Sequence, residues 1–204
     1  MNDKIPNFLI VGTAKAATTS IHEYLKQHPD IFMTNKKEPC FFTFYDEAPP
    51  SFSTGRSVEF THKQSDYEKL FKGSELKKVK GESSTPYLFF HEKTINNIKK
   101  IIPNYRKLKI LIVLRSPIDR AYSQYMMKVR DVVEKLSFED AIKLEDERIK
   151  NNAHFDFFYL RRGLYYEQVK DYLENFDNVK VMLYDDFKRN KDSFLSDILN
   201  FLGL

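Results

Sequence analysis

Nine residues near the N-terminus, Gly12-Thr13-Ala14-Lys15-Ala16-Ala17-Thr18-Thr19-Ser20, combine a glycine, a lysine and several hydroxyl side chains in an order suited to gripping an anion. They follow the apolar run Phe8 to Val11 and precede Ile21, Tyr24 and Leu25, whose spacing is helical. A strand that enters a helix here leaves the first helical N–H groups without acceptors and sets the positive end of the helix dipole at the turn. Lys15 adds a mobile cation, and Thr18, Thr19 and Ser20 add hydroxyl donors. The plainer alternative is a turn in which Thr18 or Thr19 merely caps the helix. A nucleoside-triphosphatase loop would read G-x-x-x-x-G-K-[ST]. Here Lys15 stands three residues before Thr18 and Ala17 occupies a glycine's place, so that pattern fails.

A second cation stands where such an enzyme would carry a metal-binding acid. The run Ile110 to Leu114 reads as a buried strand and ends on Arg115, whereas phosphoryl-transfer enzymes place an Asp near such a strand end to hold Mg²⁺. Arg115 therefore predicts a further anion and no metal. Ser116 suits a helix cap and Pro117 a first turn, with the helix running to about Arg130. Ser123, eight residues beyond Arg115, falls about two turns along.

The elements that must position these groups alternate. A strand is expected at Lys78 to Glu82, helices at Glu92 to Ile102, Ser137 to Lys150 and Leu164 to Asn175, then a strand at Val179 to Tyr184 and a helix from Phe187 to Phe201. Buried strands separated by amphipathic helices predict an α/β fold with a central parallel sheet covered on both faces. Residues 45–64, with Pro49, Pro50 and Gly55, read as an exposed loop or lid.

With 204 residues, 42% of them hydrophobic, the chain supports one sizeable core, and one domain over 1–204 is expected. The excess of 33 Lys plus Arg over 29 Asp plus Glu is mild and interleaved, which suits an anion cleft and argues against a nucleic-acid partner. The early apolar run Phe8 to Val11 is too short to cross a bilayer, and residues 1–6 carry no signal-peptide core. The single Cys40 cannot pair internally, so a cytoplasmic protein without membrane attachment is expected.

Taken together, Ile10 to Ser20 resembles the 5′-phosphosulfate loop of sulfotransferases that use 3′-phosphoadenosine-5′-phosphosulfate (PAPS), and Leu114-Arg115-Ser116-Pro117-Ile118-Asp119-Arg120-Ala121-Tyr122-Ser123 resembles their 3′-phosphate motif. His28-Pro29-Asp30 and Lys37-Glu38-Pro39-Cys40-Phe41-Phe42 are similar to the branch that holds the heparan sulfate enzymes and their bacterial relatives. Gly81 to Tyr87 and Arg162-Gly163-Leu164-Tyr165-Tyr166 extend the resemblance over nearly the whole chain. It implies a P-loop NTPase-like three-layer domain that moves a sulfuryl group from PAPS to a hydroxyl or amine, on a carbohydrate acceptor, leaving 3′-phosphoadenosine-5′-phosphate (PAP) and needing no metal.

The resemblance also assigns roles. Lys15 would neutralise charge on the leaving phosphate, a preorganised electrostatic contribution. Ala16, Ala17, Thr18, Thr19 and Ser20 would hold the 5′-phosphate, and Arg115 and Ser123 the 3′-phosphate. Glu38 would be the general base, with a solvated ion pair to Lys36 or Lys37 as the bland alternative. Among the histidines, His62 and His91 are kept as competing bases, while His22, His28 and His154 read as structural or exposed. Glu82 and Ser83-Ser84 would border the acceptor, Arg161-Arg162 would add charge, and Phe41, Phe42, Phe44 and Tyr45 either stack on a sugar or belong to the core. The family generally continues past a helix like the last one here, so the resemblance implies a minimal member or one lacking a C-terminal segment. A small-molecule kinase and a non-catalytic nucleotide-binding protein are the alternatives; the strand end at Arg115 opposes the first.

Overall fold

The computed structural model describes residues 5–47, 51–54 and 59–204. The expected loop over 45–64 falls partly outside these, as do residues 1–4 of the leader reading. Five strands form one sheet: β1 (Phe8–Gly12), β2 (Ile31–Met33), β3 (Val79–Ser83), β4 (Lys109–Leu114) and β5 (Asn178–Leu183). Their order is β2-β3-β1-β4-β5 and every pairing is parallel, with Leu9 opposite Glu82 on one side and Ile110 on the other.

The helices are α1 (Thr18–Lys26), α2 (Phe41–Phe44), α3 (Gln64–Lys69), α4 (Pro86–Phe89), α5 (His91–Ile101), α6 (Pro117–Arg130), α7 (Phe138–Lys143), α8 (Glu145–Lys150), α9 (Tyr165–Asn175), α10 (Tyr184–Arg189) and α11 (Lys191–Leu202). Two expected single helices are broken in two. The stretch from Ser137 splits at Leu144, and the C-terminal one splits at Asn190, whose extended backbone lets its side chain accept from the N–H of Ser193 and cap α11. The short β2 and α3 were not anticipated, three to six residues being too few to show a period.

Side chains of one strand alternate between two cores, because successive Cβ atoms point to opposite faces. Leu9, Val11, Ile110 and Ile112 pack with Phe41, Phe42, Tyr87, Ile98 and Tyr172 on one face; Phe8, Ile10, Leu111 and Val113 pack with Ile21, Leu25, Phe194 and Ile198 on the other. Burial on both faces explains why β1 and β4 read as continuous apolar runs. The three-layer α/β architecture is as expected. Phe41 and Phe42 are wholly buried and Phe44 nearly so, so their place is the core and not a sugar platform. Among the described residues no helix is long and apolar enough to cross a membrane.

The sheet order decides where a ligand can sit. From β1 the chain crosses to the edge strand β2, returns to β3 beside β1, and then passes to the other side through β4 and β5, so the loops after β1 and β4 diverge and open a crevice at their carboxyl ends.

Candidate active site

The loop leaving β1 is shaped to expose its backbone. Lys15 and Ala17 have left-handed backbones, with φ of 71° and 59°, separated by Ala16, which does not. Such alternation turns successive N–H groups toward one point. Ala17 is the cap of α1 and makes no side-chain cap bond, and among the described residues no acceptor takes the N–H groups of residues 16–20. These orphan donors at a helix start are the physical basis of an anion cradle. Ala17 holds a conformation that normally favours glycine, at a steric cost of about 1 kcal/mol.

Arg115 leaves the end of the neighbouring strand and donates from Nη1 to the carbonyl of Lys15 at 2.9 Å, tying the two motifs together across 100 residues of chain. Its guanidinium lies over the ring of Tyr184, 4.8 Å from the centroid. The Lys15 ammonium has its pKa lowered, first by burial and then by the charges of Arg130 and Arg115, and rests 3.4 Å from the sulfur of Met127. Clustered cations that depress one another are waiting for negative charge.

Both groups open into a cavity of about 550 Å³. Its walls include Lys15, Ala17, Thr18 and Thr19 from the first loop, Arg115 and Ser123 from the second, and Glu38 with Lys37. Ala16 and Ser20 are not on the wall: Ala16 is packed in the core and Ser20 faces outward. The Glu38 carboxylate is held from three directions, by the N–H of Thr85 at 2.8 Å, the hydroxyl of Thr85 at 3.2 Å and the Lys37 ammonium at 2.6 Å. It is an oriented group, 32% exposed, and the Lys37 ion pair of the bland alternative is present.

Several expectations are corrected. Glu82 does not border the cavity; it is wholly buried, with its carboxyl pushed up to about 7, chiefly by burial. Ser83 is buried too and pairs with Nδ1 of His22 at 2.9 Å. His91 is bound to Asp171 at 2.5 Å, and neither it nor His62 lines the cavity; His154 does. Nδ1 of His154 accepts from the N–H of Asp156 at 3.1 Å, which puts the proton on Nε2, and burial pushes this imidazole down to about 4. Arg162 is not a spare surface charge: it is buried and donates to Asp156 at 2.9 Å, opposite Lys128 at 2.6 Å. Arg161 instead pairs with Asp146 at the surface.

Sequence reading missed Tyr184, Thr85, His154 and Asp156 on the cavity wall. Tyr184 was accessible as the first residue beyond β5, because strand ends of such sheets line the crevice. Met127 was accessible through its i+4 spacing from Ser123 along α6. His154 and Asp156 carry no such signal; a segment far along the chain folds back over the site.

Comparison with known proteins bears on family and fold. The family model described as "Sulfotransferase domain" matches residues 6–204. The membrane-associated sulfotransferase kil1 of Dictyostelium discoideum is 29% identical over 126 residues, which is 62% of this chain and 24% of that protein. The human bifunctional heparan sulfate N-deacetylase/N-sulfotransferase 2 is 30% identical over 128 residues, 60% of this chain and 13% of that protein. The chain thus spans a quarter or less of the length of these curated relatives. A solved sulfotransferase from Alicyclobacillus acidocaldarius superimposes with a TM-score of 0.89 at 39% identity, over 98% of this chain and 81% of that one. Mouse sulfotransferase SULT7A1, solved with PAP, shares the P-loop NTPase-like fold, with a TM-score of 0.59 at 17% identity over 97% of this chain and 58% of its own. A single domain model accounts for all but the first five residues, and the chain belongs to the sulfotransferase family.

Proposed function

We propose that residues 1–204 act as one sulfotransferase domain that moves a sulfuryl group from PAPS to a hydroxyl or amine of a carbohydrate acceptor and releases PAP. The observation that carries this reading is the junction of the two loops: an anion cradle after β1 and a cation after β4, linked by the Arg115 to Lys15 hydrogen bond and facing a carboxylate across one cavity. PAPS carries a 5′-phosphosulfate and a 3′-phosphate, so it needs two separate cationic sites. The residues fit it, with the N–H groups of 16–20 and the hydroxyls of Thr18 and Thr19 for the first anion and Arg115 with Ser123 for the second.

In this reading Lys15 neutralises the phosphate oxygen as the sulfuryl group departs, a preorganised charge stabilisation. Glu38, oriented by Thr85 and Lys37, takes the proton of the attacking acceptor group. The carbohydrate reading is supported by the likeness to heparan sulfate enzymes. A cytoplasmic site of action is the reading drawn from the lone, buried Cys40.

Calorimetric titration of the chain with PAP tests the donor half, with ATP and Mg²⁺ as the control. PAP binding that is weakened about 10- to 100-fold in Lys15→Ala and in Arg115→Ala, with ATP much weaker, is expected. A folded chain that takes up no PAP removes the reading. Transfer of radiolabelled sulfate from PAPS to N-desulfated heparin then tests the acceptor half.

A further inference from the structure

The carboxylate proposed as base sits on a turn whose backbone is unfavourable, and a second carboxylate lies beneath that turn. We propose that Glu82 is a positioning residue for Glu38, holding the Glu38–Phe42 turn through two hydroxyl relays; the catalytic part of this inference rests on Glu38 being the base.

Glu82 is wholly buried near the end of β3. It accepts from the hydroxyls of Tyr87 at 2.6 Å, Ser84 at 2.9 Å and Tyr67 at 3.3 Å. A hydroxyl has one proton to give. Once Ser84 gives its proton to Glu82, its oxygen is left as an acceptor and takes the N–H of Cys40 at 3.0 Å. Tyr87 behaves in the same way and takes the N–H of Phe42 at 3.3 Å. Above about pH 7, where the buried carboxyl is ionised, Glu82 only accepts and so sets the direction of both relays.

Both relays end on the turn that presents Glu38. Glu38 and Cys40 have left-handed backbones, with φ of 56° and 53°, a conformation that residues with a Cβ adopt against a steric penalty. Pro39 between them has no N–H to offer. Three N–H groups hold the turn: that of Glu38 goes to the carbonyl of Ser83 at 2.9 Å, and those of Cys40 and Phe42 go to the two relays. Thr85, next along this segment, grips the Glu38 carboxylate itself. Glu82 thus never touches the cavity, yet it anchors the hydroxyls that keep the base in place.

Glu82→Gln tests the idea, since it keeps the volume but its amide nitrogen donates where the carboxylate accepted, so one relay must lose its direction. Ser84→Ala cuts only the relay to Cys40 and serves if the first variant does not fold. Hydrogen exchange of peptides covering 37–43 and 12–20 is read in both, with PAP affinity and the turnover of PAPS with N-desulfated heparin. The expected result is about tenfold faster exchange in 37–43 with 12–20 unchanged, and a kcat about tenfold lower with PAP affinity intact, the loss of one hydrogen bond to a charged group. Unchanged exchange in 37–43 in both variants overturns the proposal, as does a kcat that falls only together with PAP affinity. If the intact chain sulfates nothing, the exchange data still decide whether Glu82 holds the turn, and it is the reading of Glu38 as base that falls.

Discussion

The two halves of the cavity are built by different means. The proposed donor half is local: residues 12–20 and 115–123 each form one loop and one helix start, and the two lie side by side because β1 and β4 are neighbours. Its affinity for an anion comes largely from backbone N–H groups, which any sequence in that conformation supplies. The proposed acceptor half is assembled from Lys37 and Glu38, Thr85, and His154 with Asp156, drawn from separate parts of the chain. There each function rests on one side chain and on the partner that orients it. The donor half should therefore be degraded in steps by mutation, and the acceptor half lost at a single position.

Glu38→Gln gives the largest expected effect. Sulfation should fall by about 10²- to 10⁴-fold, the usual contribution of general base catalysis, while PAP affinity measured by calorimetry stays within about twofold. Equal losses in both would erase the distinction between the halves.

Next comes the pH dependence of stability, for which two buried groups pull in opposite directions. The Glu82 carboxyl is held up to about 7 from an ordinary 4.5, so the folded state carries the extra proton, and stability falls as pH rises from 4.5 to 7. The His154 imidazole is held down to about 4 from 6.5, so the unfolded state carries the extra proton, and stability rises with pH from 4 to 6.5. Each is worth about 3 kcal/mol, so between 4.5 and 6.5 they nearly cancel. His22, likewise held down by burial, adds to the rise, so chemical denaturation across this window should show a gently rising profile for the intact chain, a steeper rise for Glu82→Gln and a downward tilt relative to the intact chain for His154→Gln.

Arg115→Ala should weaken PAP binding by about 10- to 100-fold, the loss of a charge-assisted bond, and should also loosen the loop by removing the contact to the Lys15 carbonyl. Arg115→Lys restores the charge but not the reach to that carbonyl, and should recover only part of the affinity. The smallest effect is expected from Ala17→Gly. Relief of the left-handed backbone should stabilise the fold by about 1 kcal/mol in a denaturation midpoint, with PAP affinity little changed.

The elements with strong local signals were legible in advance. Burial on both faces made β1 and β4 continuous apolar runs, and Ser116 with Pro117 marked the start of α6, which ends at Arg130 as its spacing predicts. Elements of three to six residues, such as β2 and α3, and the breaks at Leu144 and Asn190, were not, because a period cannot be read from so few positions. In the site, Lys15, Thr18, Thr19, Arg115, Ser123 and Glu38 all reach the cavity wall, whereas Ala16 and Ser20 do not, since a helix start turns successive side chains through about 100°.

By itself, then, the sequence determined the alternation of buried strands and helices, the loop that can cradle an anion and the cation at the end of the next central strand, because each is written in consecutive residues. Tertiary structure alone decided that Glu82 lies beneath the site and not in it, that His154 reaches the cavity in place of His62 or His91, and that Arg162 is spent on Asp156. Those outcomes depend on which segments distant in the chain are brought into contact, and burial and pairing follow from that contact and not from residue type.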